Sequence, residues 1–216
     1  LDPNKLSKDG TVALNSYEVS PDGKYLAYST SASGSDWVEW KVREISSRKD
    51  LSDHLKWSKF SGVSWAKNSK GFYYGRFPTP KDGEEMMAQN IHKKIYFHEI
   101  GKPQSEDLLV YERPNQPKQG LYAWVTDDGK YLLIQVSQGT DTKNGLFYKD
   151  LSNSTSKVIE LLSSFDASYD FITNLGSKFI IRTDLNAPKQ KVISIDVNEP
   201  LSVRWETIIP ESTETL

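Results

Sequence analysis

Three histidines, His54, His92 and His98, are the only imidazoles this 216-residue chain offers as general bases or metal ligands. A zinc-peptidase helix needs two imidazoles on one face with a glutamate between them, and no H-E-x-x-H spacing occurs here. His92 falls in a loop-like stretch and His98 in a strand-like one, so surface and packing roles are expected. An acyl-transfer serine needs the G-x-S-x-G elbow, but the glycine pair at that spacing, Gly71 and Gly75, encloses Phe72, Tyr73 and Tyr74. Carboxylates crowd in runs such as Glu84-Glu85 and Glu106-Asp107, and nothing in the sequence isolates a pair in an apolar cleft. They are expected on a solvated surface rather than as an acid/base pair. With no cysteine, neither a thiolate metal site nor a disulfide is available. No catalytic residue, metal ligand or cofactor is therefore assigned to this chain. Asn153-Ser154-Thr155 is a glycosylation sequon in form and is read as a polar surface turn.

Charge narrows the partners. The 27 Lys and Arg nearly cancel the 29 Asp and Glu, so there is no basic field to attract nucleic acid or an acidic membrane surface. No apolar run approaches the ~18 residues of a membrane span. The chain starts at Leu1 without a methionine and is read as an excised piece of something longer.

The elements that would position any site follow from an internal repeat. Ser16 to Tyr28, Gly62 to Tyr74, Tyr122 to Ile134 and Tyr169 to Ile181 read as variants of one hairpin, aligned on Gly23, Gly71, Gly129 and Gly176 and spaced roughly 50 residues apart. That period with strand-like sequence predicts an all-β fold: a β-propeller segment of about four antiparallel four-stranded blades, at roughly 12–60, 61–112, 120–162 and 167–210. Pro21-Asp22-Gly23 and Asp127-Asp128-Gly129 supply tight turns, while Lys67 to Gly71 and Thr173 to Gly176 are looser versions. Third strands are expected at Trp37 to Ile45, Lys94 to Ile100, Leu146 to Leu151 and Lys191 to Val197. Fourth strands are expected at His54 to Lys59, Asp107 to Tyr111, Lys157 to Leu161 and Trp205 to Ile209. Leu1 to Val12 is read as extended, and Pro210 to Leu216 as an exit strand into a further blade.

Connectivity then sorts the loops. If the first strand of each blade leaves one face, the second-to-third loops and the blade-to-blade connections share that face. They are Ser31 to Asp36, Pro78 to His92, Gln138 to Asn144 and Asp184 to Pro188, with the connections around Phe60, Gly120 and Ala167. These longer, more varied loops are the expected recognition surface.

Several segments give the repeat a family. Leu1-Asp2-Pro3-Asn4, Asp9 to Leu14, Ser31 to Val38 (SASGSDWV), Gln104 to Asp107, Thr126 to Gly129, Phe165 to Asp170 and Thr183 to Pro188 together resemble the prolyl oligopeptidase (prolyl endopeptidase) family, in family order. Essentially the whole chain resembles the central blades of that family's seven-bladed propeller. The resemblance implies a cytoplasmic serine peptidase that cuts short peptides after proline. Its Ser-Asp-His residues would lie in a C-terminal α/β-hydrolase domain that matches nothing here. The segment itself would be a non-catalytic filter and part of the substrate wall, partnered by that hydrolase domain and by short proline-containing peptides.

The same resemblance names site residues. Phe60 matches an aromatic that lines the pocket for the residue two positions upstream of proline; the alternative is that it plugs the junction of two blades. Gly120, Ser137 and Thr140 match other substrate-facing positions where relatives commonly carry Met, Arg and Cys. Losing the Arg implies a weaker preference for acidic upstream residues, and losing the Cys removes a target for thiol-directed inhibitors. The rival is an independent protein-interaction propeller. It is disfavoured because the Gly-His and Trp-Asp pairs of one such class and the glycine pairs of another are not in place.

Overall fold

The computed structural model describes residues 1–85, 87 and 89–216. Two compact units divide the chain, Leu1–Val125 and Thr126–Leu216. The strands are β1 (Val12–Val19), β2 (Tyr25–Ala32), β3 (Val38–Glu44), β4 (Lys49–Ser58), β5 (Val63–Trp65), β6 (Gly71–Arg76), β7 (Lys94–Glu99), β8 (Leu108–Tyr111) and β9 (Gln119–Val125) in the first unit. The second unit holds β10 (Tyr131–Gln138), β11 (Asn144–Asp150), β12 (Ile159–Leu162), β13 (Tyr169–Leu175), β14 (Lys178–Thr183), β15 (Lys191–Asp196) and β16 (Glu206–Ile209). They form four largely antiparallel four-stranded sheets, β1 to β4, β5 to β8, β9 to β12 and β13 to β16, each in sequence order.

Turn chemistry explains the registers. In Ser20 to Tyr25 the Ser20 hydroxyl donates to Asp22 (2.7 Å) and accepts from the Tyr25 amide (2.9 Å), while Asp22 also accepts from the Lys24 amide (3.1 Å). Thr126 to Tyr131 repeats this bond for bond: Thr126 to Asp128 at 2.7 Å, the Tyr131 amide to Thr126 at 3.0 Å, and the Lys130 amide to Asp128 at 3.0 Å. Gly23 and Gly129 occupy the left-handed step, at φ 71° and 73°. In the second sheet that step is taken by Ser69 at φ 58°, so the sequence alignment on Gly71 is off by two residues. Gly71 opens β6 instead. A Cβ there would lie 2.1 Å from the His98 carbonyl oxygen, so only glycine lets β6 approach β7 this closely.

Between the first two sheets the core is aromatic and aliphatic: Ala27, Trp40, Val42, Leu55, Val63, Trp65, Phe72 and Tyr74 are all buried. Trp65 packs edge-on to Phe72 (5.1 Å) and donates its indole N–H to the Glu18 carbonyl (3.1 Å), which ties β5 to β1. The chain ends depart from expectation. A 3-10 turn at Pro3–Lys5, capped by Asp2 accepting from the Asn4 amide, interrupts the extended lead-in. Residues 210–216 carry no strand and fold back instead. Glu211 accepts from the Lys189 amide (2.6 Å), and the Leu216 amide donates to the Lys189 carbonyl (3.1 Å).

Candidate functional site

β4 ends at Ser58, whose hydroxyl donates to the buried Gly75 carbonyl (2.7 Å). The chain then crosses to β5 through Lys59, Phe60, Ser61 and Gly62. Phe60 takes a left-handed backbone (φ 48°), a conformation that costs an L-residue roughly 1–2 kcal/mol. Three neighbours hold it there. The Ser61 hydroxyl accepts from the Gly75 amide (3.0 Å), Lys59 buries its stem and sets Nζ 3.8 Å from the Trp37 ring centroid, and Lys93 donates from Nζ to the Phe60 carbonyl (2.9 Å). So pinned, the connection presents the Phe60 ring to solvent, 54% exposed. Beside it lies a cleft of about 360 Å³ lined by Ser61, Gly62, Val63, Tyr122 and Trp124 together with Val19 at the end of β1.

Lys93 is the least expected member. It is only 4% exposed, with Nζ 4.2 Å from the Tyr122 ring centroid and 5.8 Å from that of Phe77. Burial pushes its ammonium down to about 7. Trp37 anchors the surroundings. Its ring meets Trp57 (5.5 Å) and Phe77 (6.1 Å) edge-on, and its N–H donates to the Glu85 carbonyl (2.7 Å) in the loop Pro78 to His92. Met86 and Ala88 of that loop lie outside the described residues. The loop closes at His92, whose amide donates to the Pro117 carbonyl (2.6 Å).

Of the residues singled out in the sequence, Phe60 and Gly120 belong to the first unit. Gly120 lies in β9, between the buried Gln119 and Leu121 and two residues before Tyr122, so Lys93 touches both segments. Ser137 and Thr140 belong to the second unit. Ser137 pairs with Asn144 at the end of β10, and Thr140 is exposed in the turn that follows.

A second constellation departs from the expectation that the carboxylates lie on a solvated surface, since Asp53 and Asp107 are buried, while His98 takes a packing role. His98 is fully buried between two carboxylates, its Nδ1 2.7 Å from Asp107 and its Nε2 2.9 Å from Asp53. Asp53 also accepts from the Gly101 amide (2.7 Å), and Asp107 from the Tyr74 hydroxyl (2.5 Å). Burial alone would lower the imidazole, but bonds to Asp107 and Asp53 override it and hold the group at about 9. An imidazolium donating to both carboxylates fits this geometry. With no solvent exposure, its role is cohesion between two sheets. By contrast, His54 meets the exposed Glu39 at 2.6 Å on the surface.

Largely antiparallel four-stranded sheets, each in sequence order, describe a propeller, and the comparisons specify which. Residues 1–216 match the family model described as "Prolyl oligopeptidase, N-terminal beta-propeller domain", and the chain belongs to that family. It is 39% identical to prolyl oligopeptidase A of Amanita bisporigera over 98% of this chain and 30% of that protein. It is 34% identical to a prolyl endopeptidase of Elizabethkingia meningoseptica over the whole of this chain and 30% of that protein. The structure of prolyl oligopeptidase B from Galerina marginata bound to a 35mer hydrolysis and macrocyclization substrate superposes with a TM-score of 0.88 at 34% identity, over 98% of this chain and 31% of that one. The chain thus spans about a third of the length of the relatives it matches.

Proposed function

We propose that this chain is the substrate-admitting propeller segment of a cytoplasmic proline-specific serine oligopeptidase. It works against a C-terminal α/β-hydrolase domain that carries the acyl-transfer residues, with Phe60 as part of the wall around the residue two positions upstream of proline. One observation carries the reading. An aromatic ring is held out to solvent on a left-handed, three-point-pinned connection, at the position where the family resemblance puts a pocket aromatic. A ring that merely plugged a junction would be buried among its neighbours, and Phe60 is not. Ser137 offers no guanidinium fork, so acidic residues upstream of proline gain little. Thr140 offers no thiol.

Phe60→Ala in the full-length enzyme tests the reading with peptides that differ only two positions upstream of proline. The expected result is a KM raised about tenfold for a bulky apolar residue there, with little change for glycine, since a buried aromatic contact is worth on the order of 1–2 kcal/mol. An unchanged KM ratio between the two peptides would reject Phe60 as wall.

A further inference from the structure

A second cleft of about 350 Å³ is lined by Trp57 of β4, Arg76 and Phe77 at the end of β6, Lys94 and Tyr96 of β7, and Ser105. Its walls are largely rings and its charged side chains are cations; no carboxylate lines it among the described residues. β4 is bent to make it. β3 pairs Val38 with Ser58 but Trp40 with Leu55, so β4 carries an extra residue there, and Trp57 takes φ 63°, a costly conformation for an L-residue. Bulges of this kind re-aim a side chain, and the Trp57 ring, edge-on to Trp37 at 5.5 Å, becomes one wall. Arg76 stacks over Tyr96, 3.8 Å from the ring centroid, and is short of partners. Only Nη1 makes hydrogen bonds, long ones to the Tyr74 hydroxyl (3.5 Å) and the Gln104 carbonyl (3.4 Å). Its one ion-pair partner among the described residues, Asp107, stands 3.8 Å off, with its two oxygens already engaged by His98 and the Tyr74 hydroxyl. Nε and Nη2 have no acceptor among the described residues, and neither is sealed from solvent. They form the edge of the guanidinium that matches the two oxygens of a carboxylate.

We propose that this cleft binds the C-terminal carboxylate of a short peptide whose last residue is apolar. Arg76 takes the carboxylate through Nε and Nη2, and Trp57, Phe77 and Tyr96 enclose the residue that carries it. The volume lies at the low end of the roughly 300–1,000 Å³ of ligand pockets, room for one or two residues. Such a small space favours an α-carboxylate over an acidic side chain. An α-carboxylate shares its Cα with the apolar group, so guanidinium and rings are reached at once. Lys94 is held by Glu112 at 2.6 Å and stays out of the contact. Peptides cut after proline end in a residue of this kind, which makes the cleft a product site of the proposed peptidase. That consequence rests on the reading above; the site itself does not.

The test uses the full-length protein, treated with a serine-directed phosphonate so that cleavage does not intervene. Titration calorimetry compares N-acetyl-Phe-Pro acid, its C-terminal amide and N-acetyl-Phe-Asp amide in the wild type, in Arg76→Met and in Ser105→Trp. The wild type is expected to bind the acid about tenfold more tightly than either amide, the effect of a charge-assisted bond. Arg76→Met should lose that preference. Ser105→Trp fills the cleft from an exposed position, and should weaken the acid about tenfold while leaving the guanidinium in place. Equal binding of acid and amide by the wild type, or a preference that survives Arg76→Met, overturns the site. An Asp amide bound as tightly as the acid overturns the assignment to a C-terminus. Should Arg76→Met fail to fold, Ser105→Trp decides, and undiminished binding of the acid there overturns the site. Cleavage after proline, assayed on untreated protein, separates the two ideas. Its absence sinks the peptidase reading and leaves the site, whereas equal acid and amide binding sinks the site and leaves the reading.

Discussion

Phe72 in β6 and Phe179 in β14 hold the same place in their sheets, yet the residues opposite them in register differ. Phe72 faces His98 and Phe179 faces Ile195, all four fully buried. Around His98 the first unit builds a charged junction, with Asp53 from β4 and Asp107 on either side of the ring. Around Phe179 the second unit stacks rings: Tyr131 at 5.0 Å, Tyr148 and Phe171 at 5.3 Å, all near perpendicular. One backbone position in one repeat thus accepts either solution, provided the partners come with it. Rings are indifferent to pH, whereas an imidazolium between carboxylates is not.

The sharpest way to break the contrast is His98→Ile, which copies the second unit's residue into the first without its neighbours. It leaves two buried carboxylates facing each other and should cost about 3–5 kcal/mol at pH 6. The loss is read from hydrogen exchange of the β6 and β7 amides. Its sign with pH follows from linkage. The folded His98 is raised to about 9 from 6.5, so its contribution is whole below pH 6.5 and disappears as pH rises through 9. The gap between wild type and variant should close over that window. Replacing His98, Asp53 and Asp107 together by Ile, Leu and Leu should recover most of the loss and abolish the pH dependence, because an apolar set of similar volume often matches a buried ion pair. Phe179→Ala is the counterpart in the second unit. It should cost a similar ~3–5 kcal/mol at the β14 amides, but equally at pH 6 and pH 9.

The hairpins, the strand order within sheets and both Asp-Gly turns were legible because local chemistry decides them. Ser20 and Thr126 each close a turn whose partners lie within five residues. The charged junction was not, since Asp53 is 45 residues from His98 and only packing of the second sheet on the first brings them together. Lys93 was hidden differently. In the doublet Lys93-Lys94 the two residues alternate faces, so Lys94 reaches solvent and Glu112, while Lys93 shares the inward side with the fully buried Ile95. That period-2 register was the available signal. Gly71 misled because a glycine near a turn suggests positive φ, whereas this one is required by the carbonyl of His98.

A middle-sized test compares two side-chain amides that imitate a strand. Asn144 accepts from the Tyr169 amide (2.8 Å) and donates to the Tyr169 carbonyl (3.0 Å), and it is buried. Gln104 does the same to Lys56, at 3.1 and 3.0 Å, in an exposed setting. Asn144→Ala strands a buried backbone pair and should cost about 2–3 kcal/mol. Gln104→Ala lets water replace the amide and should cost no more than about 1 kcal/mol. Equal losses in the β13 and β4 amides would mean that burial is not what distinguishes the two clamps.

The smallest effect belongs to the turn that departs from the repeat. Ser69 adopts φ 58° where the other two turns of this type place glycine, and glycine would relieve on the order of 1 kcal/mol of backbone strain. The Ser69 hydroxyl, however, accepts a hydrogen bond from the Asp22 amide at 3.1 Å, joining the second sheet's turn to the first's. A partly buried bond of that kind is worth about 1 kcal/mol, so Ser69→Gly should change stability by less than about 0.5 kcal/mol while faster exchange appears at the Asp22 amide alone. Ser69→Ala keeps the strain and loses the bond, and should cost about 1 kcal/mol. If glycine proved as harmful as alanine, strain would have no part in this turn, and the hydroxyl alone would explain why serine stands there.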